Sequence, residues 1–388
     1  MGNRTGGQLT RARRLTLYAV TTLAVAAPAS IAGTAAADTP TATATATATA
    51  SATTWPSARR PRRWPPSSAR WSGVTGGFFL TSGADGVQGT MAGAYGGELT
   101  SMASGARAAL ILKDGGRHPR IADLTTTVTA RAGRAAYAVQ GLNRTPGLLR
   151  NCGRPGAAPT SEPRQDLTCT LADDLVRFTG AYGHDLPSGP GTQVVLDAKD
   201  RVVSLGARGG AVAPAQTVLQ GVGAAGGWLT AHAEPGKRIT VTEVVREAGG
   251  RRVELGPDDS VVSAAPTLVE DGRVHIDAVA EGTVDPADLS FGFAWANNRQ
   301  PRTMAGVDGR GRLLLATVDG RLSGGSEGFT LAEGAAFMRS LGAVRAINLD
   351  GGGSTAMAVN GALVNHPSDA TGERPVGDTV QVLPPRAG

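Results

Sequence analysis

The residues best suited to chemistry in this chain fall in one short run, Asn348-Leu349-Asp350-Gly351-Gly352-Gly353-Ser354-Thr355. Three glycines after an aspartate let backbone N–H groups come close to an anion, because no Cβ intervenes. Ser354 and Thr355 add hydroxyl donors, and Asp350 puts a carboxylate beside them. A tight turn between two strands asks for the same residues, so the meaning of the run depends on its surroundings.

The elements around it are legible. Thr330-Leu331-Ala332-Glu333 has the form of a capping box, Leu331, Ala335, Met338 and Leu341 share one helical face, and Gly342 supplies the stop. Ala343 to Leu349 then reads as a buried strand, Asp350 to Ser354 as a tight loop, and Ala356 to Asn360 as a strand turning at Asn360-Gly361. The glycine-rich loop is thus expected at the C-terminal end of a strand, a usual place for a site. Upstream, Ala108 to Leu112, Thr192 to Leu196, Arg201 to Leu205, Ile239 to Val245 and Leu313 to Val318 have the Val, Ile and Leu density of strands. Glu270-Asp271-Gly272 predicts a hairpin turn between Thr267–Val269 and Arg273–Ile276. The expected fold class is therefore α+β, a large mixed, mostly antiparallel β-sheet core with a few packed helices. In that sheet the Leu313–Val318 strand is expected beside the Asn348 strand, with Asp319 at its end.

Several separated segments together resemble the phosphodiester glycosidase family. They are TGGFF at 75–79, RTMAGVDGRGRLLLATVDGR at 302–321, FTLAEGAAFMRSLGAVRAINLDGGGSTAMAVNG at 329–361, PSD at 367–369 and GERPV at 372–376. The animal member of that family removes N-acetylglucosamine from a phosphodiester on mannose, and bacterial relatives are secreted proteins often labelled for exopolysaccharide biosynthesis. The resemblance implies a domain over residues 73–386 that cleaves the sugar C1–O bond of sugar-1-phosphodiesters. One departure is visible: relatives usually carry Asn where Thr75 precedes Gly76 and Gly77.

That reaction passes through an oxocarbenium-like state and needs a carboxylate near the anomeric carbon, as nucleophile or as base for water. Asp350 is the first choice, with Asp319 and Glu373 as further catalytic carboxyls. The phosphomonoester is a fair leaving group, so cations and N–H groups that hold it matter more than a strong acid. Arg302, Arg374 and the backbone of Gly351, Gly352 and Gly353 fit that task. Asn348, Ser354, Thr355, Gly76 and Gly77 complete the expected substrate contacts. Each has a plainer alternative: Asp319-Gly320 is a common turn pair, Glu373-Arg374 could be a surface ion pair, and Asn348 a strand-end amide.

Composition narrows the partners. Residues 1–37 read as a cleaved export signal, with Arg4, Arg11, Arg13 and Arg14 ahead of an apolar run from Leu15 to Ala27 and Ala35-Ala36-Ala37 as the cleavage site. The run is too short for a membrane anchor, so the protein is expected to be secreted. Residues 38–72 read as a linker, first a Thr-Ala repeat and then an Arg/Pro/Trp stretch that could touch an anionic cell wall. Nine arginines and a single acid fall in the first 70 residues, so the net charge of +6 leaves a mildly acidic body with few aromatics. Nucleic acid is excluded as a partner on that ground. Cys152 and Cys169, the two cysteines, are expected to form a disulfide in an oxidising compartment.

No cofactor is expected, and His118, His184, His232, His275 and His366 lack metal-site spacing, although Asp350 and Asp319 could in principle hold a metal for phosphodiester P–O cleavage. Gly324-Gly325-Ser326-Glu327-Gly328 matches the pattern of a serine nucleophile but lacks the strand-to-helix elbow. A glycan-binding module that keeps the fold without catalysis is the non-enzymatic alternative.

Overall fold

The computed structural model describes residues 72–82, 86–89, 91–103, 105–150, 157–159, 168–284 and 291–383, together with the backbone of short strands at 15–19, 42–46 and 49–53. The expected cleavage site, the Arg/Pro/Trp stretch and Cys152 lie outside the described residues. The chain is an α+β protein whose sheets are overwhelmingly antiparallel; in the sheet ordered 141–142, 175–178, 217–221, 189–196 and 202–208, only the first pair runs parallel.

Three sheets build the part of the molecule that matters for function. One has the strand order Arg273–Val274, Thr267–Glu270, Ala343–Asn348, Arg302–Asp308 and Leu313–Val318. Met304 stands opposite Asn348, and Arg302 opposite Val318. The expected neighbours are thus corrected: the strand ending at Asp319 is separated from the Asn348 strand by Arg302–Asp308. The cause is local, because 302–308 and 313–318 form a hairpin that joins the sheet through its first strand. A second sheet is ordered Ala362–Leu363, Met357–Val359, Ser72–Thr75, Thr379–Leu383 and Thr49–Thr53. Part of the Thr-Ala repeat, expected as an unstructured spacer, therefore pairs as a strand with 379–383; alternating threonine suits an extended backbone, and the edge of 379–383 offers it partners. The third sheet contains Arg107–Lys113 between His118–Ala132 and Ser260–Ser263.

Alternation of side chains stacks these sheets into layers. From Arg107–Lys113, Ala108, Leu110 and Leu112 enter one core with Ala305, Val307, Leu313, Leu315, Ile347, Val74, Met357 and Val380. Ala109 and Ile111 point the other way, into a core shared with Leu229 of the helix Gly223–His232. Likewise Leu314, Ala316 and Val318 leave the first core to meet Leu331, Ala335 and Met338 of the helix Leu331–Ser340. The capping box of that helix forms as expected: Thr330 Oγ1 accepts from Glu333 N–H at 3.1 Å, and Glu333 Oε2 accepts from Thr330 N–H at 2.9 Å.

Candidate active site

Three separate stretches of chain meet at the ends of the first two sheets. The 343–348 strand delivers Asp350, the 72–75 strand delivers Gly76 and Gly77, and the 379–383 strand is preceded by Asp378. Backbone bonds weld them: Asp350 N–H donates to Gly76 O at 2.9 Å and Gly76 N–H to Asp378 O at 3.1 Å. Gly77 N–H donates to Asp378 Oδ1 at 2.7 Å. Both glycines are required by contact. A Cβ on Gly76 would overlap the Asp378 carboxylate, and one on Gly77 would stand 2.6 Å from Ser263 O.

The glycine loop itself is a single 3-10 turn, Gly352–Ser354, with Gly352 at φ 59°. Its amides are mostly used internally, which corrects the expectation of three free N–H groups. Gly351 N–H donates to Asp350 Oδ1 at 2.9 Å, Gly352 N–H to Pro301 O at 2.9 Å, and Ser354 N–H to Gly351 O at 3.1 Å. Among the described residues only the Gly353 N–H of the three is left to a ligand. Thr75 is fully buried and its hydroxyl donates to Ser354 O, so it latches the loop. Asn348 is also fully buried; its Nδ2 donates to Ala265 O at 3.1 Å and Leu349 O at 2.6 Å, which makes it a strand-end brace. The Thr355 hydroxyl is buried without a partner.

Asp350 keeps partial access to solvent while its carboxyl is packed in protein. Burial pushes that carboxyl up to about 7, and the nearby Asp378 adds to the rise; hydrogen bonds from Ser354 and Gly351 and the charge of Arg374 act against it. Asp378 is buried too, and burial raises it, opposed by donation from the Tyr95 hydroxyl and Gly77 N–H. Arg374 is held by Asp369, with Nη2 to Oδ1 at 2.8 Å, and this pair keeps the guanidinium above its ordinary range. The pair occupies the space a Gly353 side chain would fill. Arg321, in the left-handed region at φ 58°, brings its guanidinium within 3.4 Å of the corresponding position over Gly352 and donates to Gln300 Oε1 at 2.7 Å. Two cations therefore flank two successive glycines beside one half-buried carboxyl.

Other expected residues are placed differently. Arg302 is not at the loop surface but 1% exposed, donating from Nε to Phe329 O at 2.9 Å and from Nη2 to Trp295 O at 2.6 Å and Asn298 O at 3.2 Å. It lies 5.0 Å from the Trp295 ring centroid, and Trp295 in turn meets Phe78 edge-on. Burial, with the neighbouring Arg321 charge, pulls Arg302 down to about 10. Arg302 thus clamps the end of the helix Phe291–Asn297 to the 329 loop through Nε and Nη2, while its Nη1 is buried without a partner. Arg302→Met should leave these carbonyls unpaired and lower stability by about 3 kcal/mol, read as a fall in urea midpoint, with kcat/KM of the folded protein little changed; a selective loss of kcat/KM at unchanged stability would restore it to the binding site.

Asp319 is likewise occupied. It accepts from Asn365 Nδ2 at 3.0 Å and from His366 N–H at 3.0 Å, with His366 Nδ1 at 3.3 Å. Asn365 then accepts Met357 N–H at 2.7 Å, so Asp319 supports the chain leaving the loop. Glu373 is 2% exposed. Ser326 donates to Asp319 O and accepts from Gly328 N–H, the arrangement of a turn and not of a nucleophile elbow. No group of three or more His, Cys, Asp or Glu side chains among the described residues is placed to hold a metal. Sequence reading missed Asp378, Tyr95, Arg321 and Asp369; the available signals were the position of Asp378 just ahead of a strand and of Arg321 just after Asp319-Gly320.

On this antiparallel α+β scaffold a raised aspartyl carboxyl lies at a glycine loop that two guanidinium groups approach, and comparison with known proteins identifies the family. Residues 191–383 match the model of the phosphodiester glycosidase family, and the chain belongs to that family. It is 34% identical over 116 residues to mouse N-acetylglucosamine-1-phosphodiester alpha-N-acetylglucosaminidase and 33% identical over 114 residues to the human protein of that name. These alignments cover 30% and 29% of this chain, and the chain spans about a fifth of the length of those relatives, 22% in each case. A crystal structure of a Burkholderia pseudomallei protein described as exported is 36% identical, with TM-score 0.78, over 88% of this chain and 72% of that one. A hypothetical protein from Synechocystis shares the fold at TM-score 0.63 and 18% identity, over 87% of this chain and 57% of that one. The resemblance read from the sequence is therefore borne out, although the family model begins after TGGFF at 75–79.

Proposed function

We propose that this protein is a hydrolase of sugar-1-phosphodiesters, cleaving the sugar C1–O bond in phosphodiester-linked glycans of the cell wall or exopolysaccharide type. The observation that carries the proposal is Asp350, a carboxyl lifted to about 7 and flanked at the glycine loop by Arg374 and Arg321. Near neutral pH such a group is partly ionised, so it can act at the anomeric carbon as nucleophile or as base for water. The two guanidinium groups and the Gly353 N–H take the negative charge that accumulates on the departing phosphate. Glu373 remains in this reading as a buried neighbour of Arg374, whereas Asp319 serves the loop's support. The names of the mouse and human relatives carry the same chemistry.

Export through the 1–37 leader belongs to the same proposal. It is supported by the basic and apolar runs there, by the exported Burkholderia relative, and by the finding that no helix among the described residues is long and apolar enough to cross a membrane. An exported chain would carry the Cys152–Cys169 bridge; Cys169 is fully buried on the strand Thr168–Leu171. Intact mass should rise by about two protons on reduction, and the reduced protein should lose about 3 kcal/mol of stability by loop-closure entropy. Two freely alkylated thiols in the native secreted protein would remove the bridge.

The deciding experiment incubates the mature protein with an N-acetylglucosamine-1-phospho-6-mannoside and follows products by NMR. Free sugar plus mannose 6-phosphate, with the solvent-derived oxygen found in the sugar and not in the phosphate, supports C1–O cleavage. Sugar 1-phosphate would shift the reaction to P–O cleavage, loss of turnover in chelator would bring in a metal, and glycan binding without turnover would leave a binding module.

A further inference from the structure

We propose that Asp378 and Tyr95 form a positioning couple for Asp350, with Asp378 the buried carboxyl that opposes it across the Gly76–Gly77 backbone and Tyr95 the hydroxyl donor that fixes the Asp378 carboxylate in place. This assignment rests on Asp350 being the reacting carboxyl.

The geometry is closed on every side. Asp378 is 7% exposed, and its two carboxylate oxygens are taken, Oδ1 by Gly77 N–H and Oδ2 by the Tyr95 hydroxyl. Both oxygens are already engaged inside the protein, so in this assignment it acts through its neighbour. Its backbone carbonyl receives Gly76 N–H, and the Gly76 carbonyl receives Asp350 N–H, so a displacement of Asp378 is passed directly to the Asp350 backbone. Tyr95 comes from a different sheet, on the strand Gly93–Tyr95, which ties the couple to the 260–263 strand opposite it. The charged or titratable groups facing Asp350 are Asp378 and Arg374, and those facing Asp378 are Tyr95 and Asp350. Two carboxyls in one desolvated site cannot both ionise freely. Burial raises both carboxyls, and the two donors on Asp378 act against the rise there, which favours the proton of the pair on Asp350. Tyr95 was invisible to motif reasoning because it lies 255 residues before Asp350 in sequence and arrives through strand pairing.

The test is a titration that needs no substrate, so its outcome is independent of whether any phosphodiester is turned over. In protein labelled with 13C at aspartate carboxyls, the Asp350 resonance is assigned by its disappearance in Asp350→Asn and followed with pH. Asp378→Asn keeps Oδ1 for Gly77 N–H and places an NH2 that can donate to the Tyr95 oxygen, but removes the charge, and should lower the Asp350 midpoint by roughly one unit or more. Tyr95→Phe should lower it by less: without its donor Asp378 protonates more readily and opposes Asp350 less. With active enzyme, the acid limb of kcat/KM should move with the midpoint in both variants. An Asp350 midpoint unchanged in either folded variant would overturn the couple and reduce Asp378 to a loop brace, a role that lowers kcat without moving the profile.

Discussion

Replacement of Asp350 by asparagine is expected to lower turnover of a sugar-1-phosphodiester by at least about a thousandfold, since it removes the group that attacks or activates water. The same substitution should stabilise the fold at alkaline pH. The sign follows from the raised carboxyl: the folded state prefers the protonated form, so wild-type stability falls as pH rises from the unfolded value near 4 through the folded value of about 7. Asparagine has no such dependence. Linkage sets an upper limit of about 4 kcal/mol above that range, and partial access to water makes the gain smaller. Urea unfolding at pH 5 and pH 8 checks it: the variant should gain on wild type between the two. Equal gain at both values would mean that burial does not raise Asp350.

Gly353→Ala should also lose activity with the fold retained, here without touching the carboxyl. The added methyl would overlap Arg374 Nη2 and Asp369 Oδ1, which are the far ends of two flexible side chains and can swing out. Gly353 is not in the left-handed region, so alanine brings no backbone strain there. Stability should change by about 1 kcal/mol or less, while kcat/KM falls by roughly a hundredfold from loss of one guanidinium facing the phosphate. Gly328→Ala makes the useful contrast. Its Cβ would overlap Gln300 backbone and its φ is 93°, so there the fold itself should give way. Thermal melts and steady-state kinetics on Gly353→Ala settle the point, and full activity in that variant would separate Arg374 from the reaction.

How much of this was legible in sequence follows the range of the interactions involved. The capping box at Thr330 and Glu333, the hairpin at 270–272 and the Leu313–Val318 strand are encoded by residues a few positions apart, and each forms where the sequence puts it. The aspartate-glycine loop was readable for the same reason. Partners of Asp350 were not. Asp319 looked nearer because its strand was expected in the adjacent slot, but the 302–313 hairpin inserts Arg302–Asp308 there and turns Asp319 toward Asn365 and His366. Asp378 takes the place because 379–383 pairs with 72–75, a choice made by sheet order and by burial of Val74 and Val380 in one core. Arg302 and Arg321 are placed by the same logic: Arg302 has Trp295 and Phe329 folded over it, while the left-handed turn at Arg321 sends the later arginine to Gly352.

The bonds that close the site join positions almost a full domain apart, 301 residues between Gly77 and Asp378 and 279 between Thr75 and Ser354. Contacts of such separation are the last that a folding chain can make, because loop closure must precede any return from them. Until the 379–383 strand docks against 72–75, the Gly76 and Gly77 N–H groups lack their Asp378 partners and Asp350 lacks its opposing carboxyl. The proposed catalytic constellation therefore doubles as a completion check: a chain interrupted after Arg374 but before Asp378 holds the glycine loop and the arginines, yet is expected to stay silent toward its substrate.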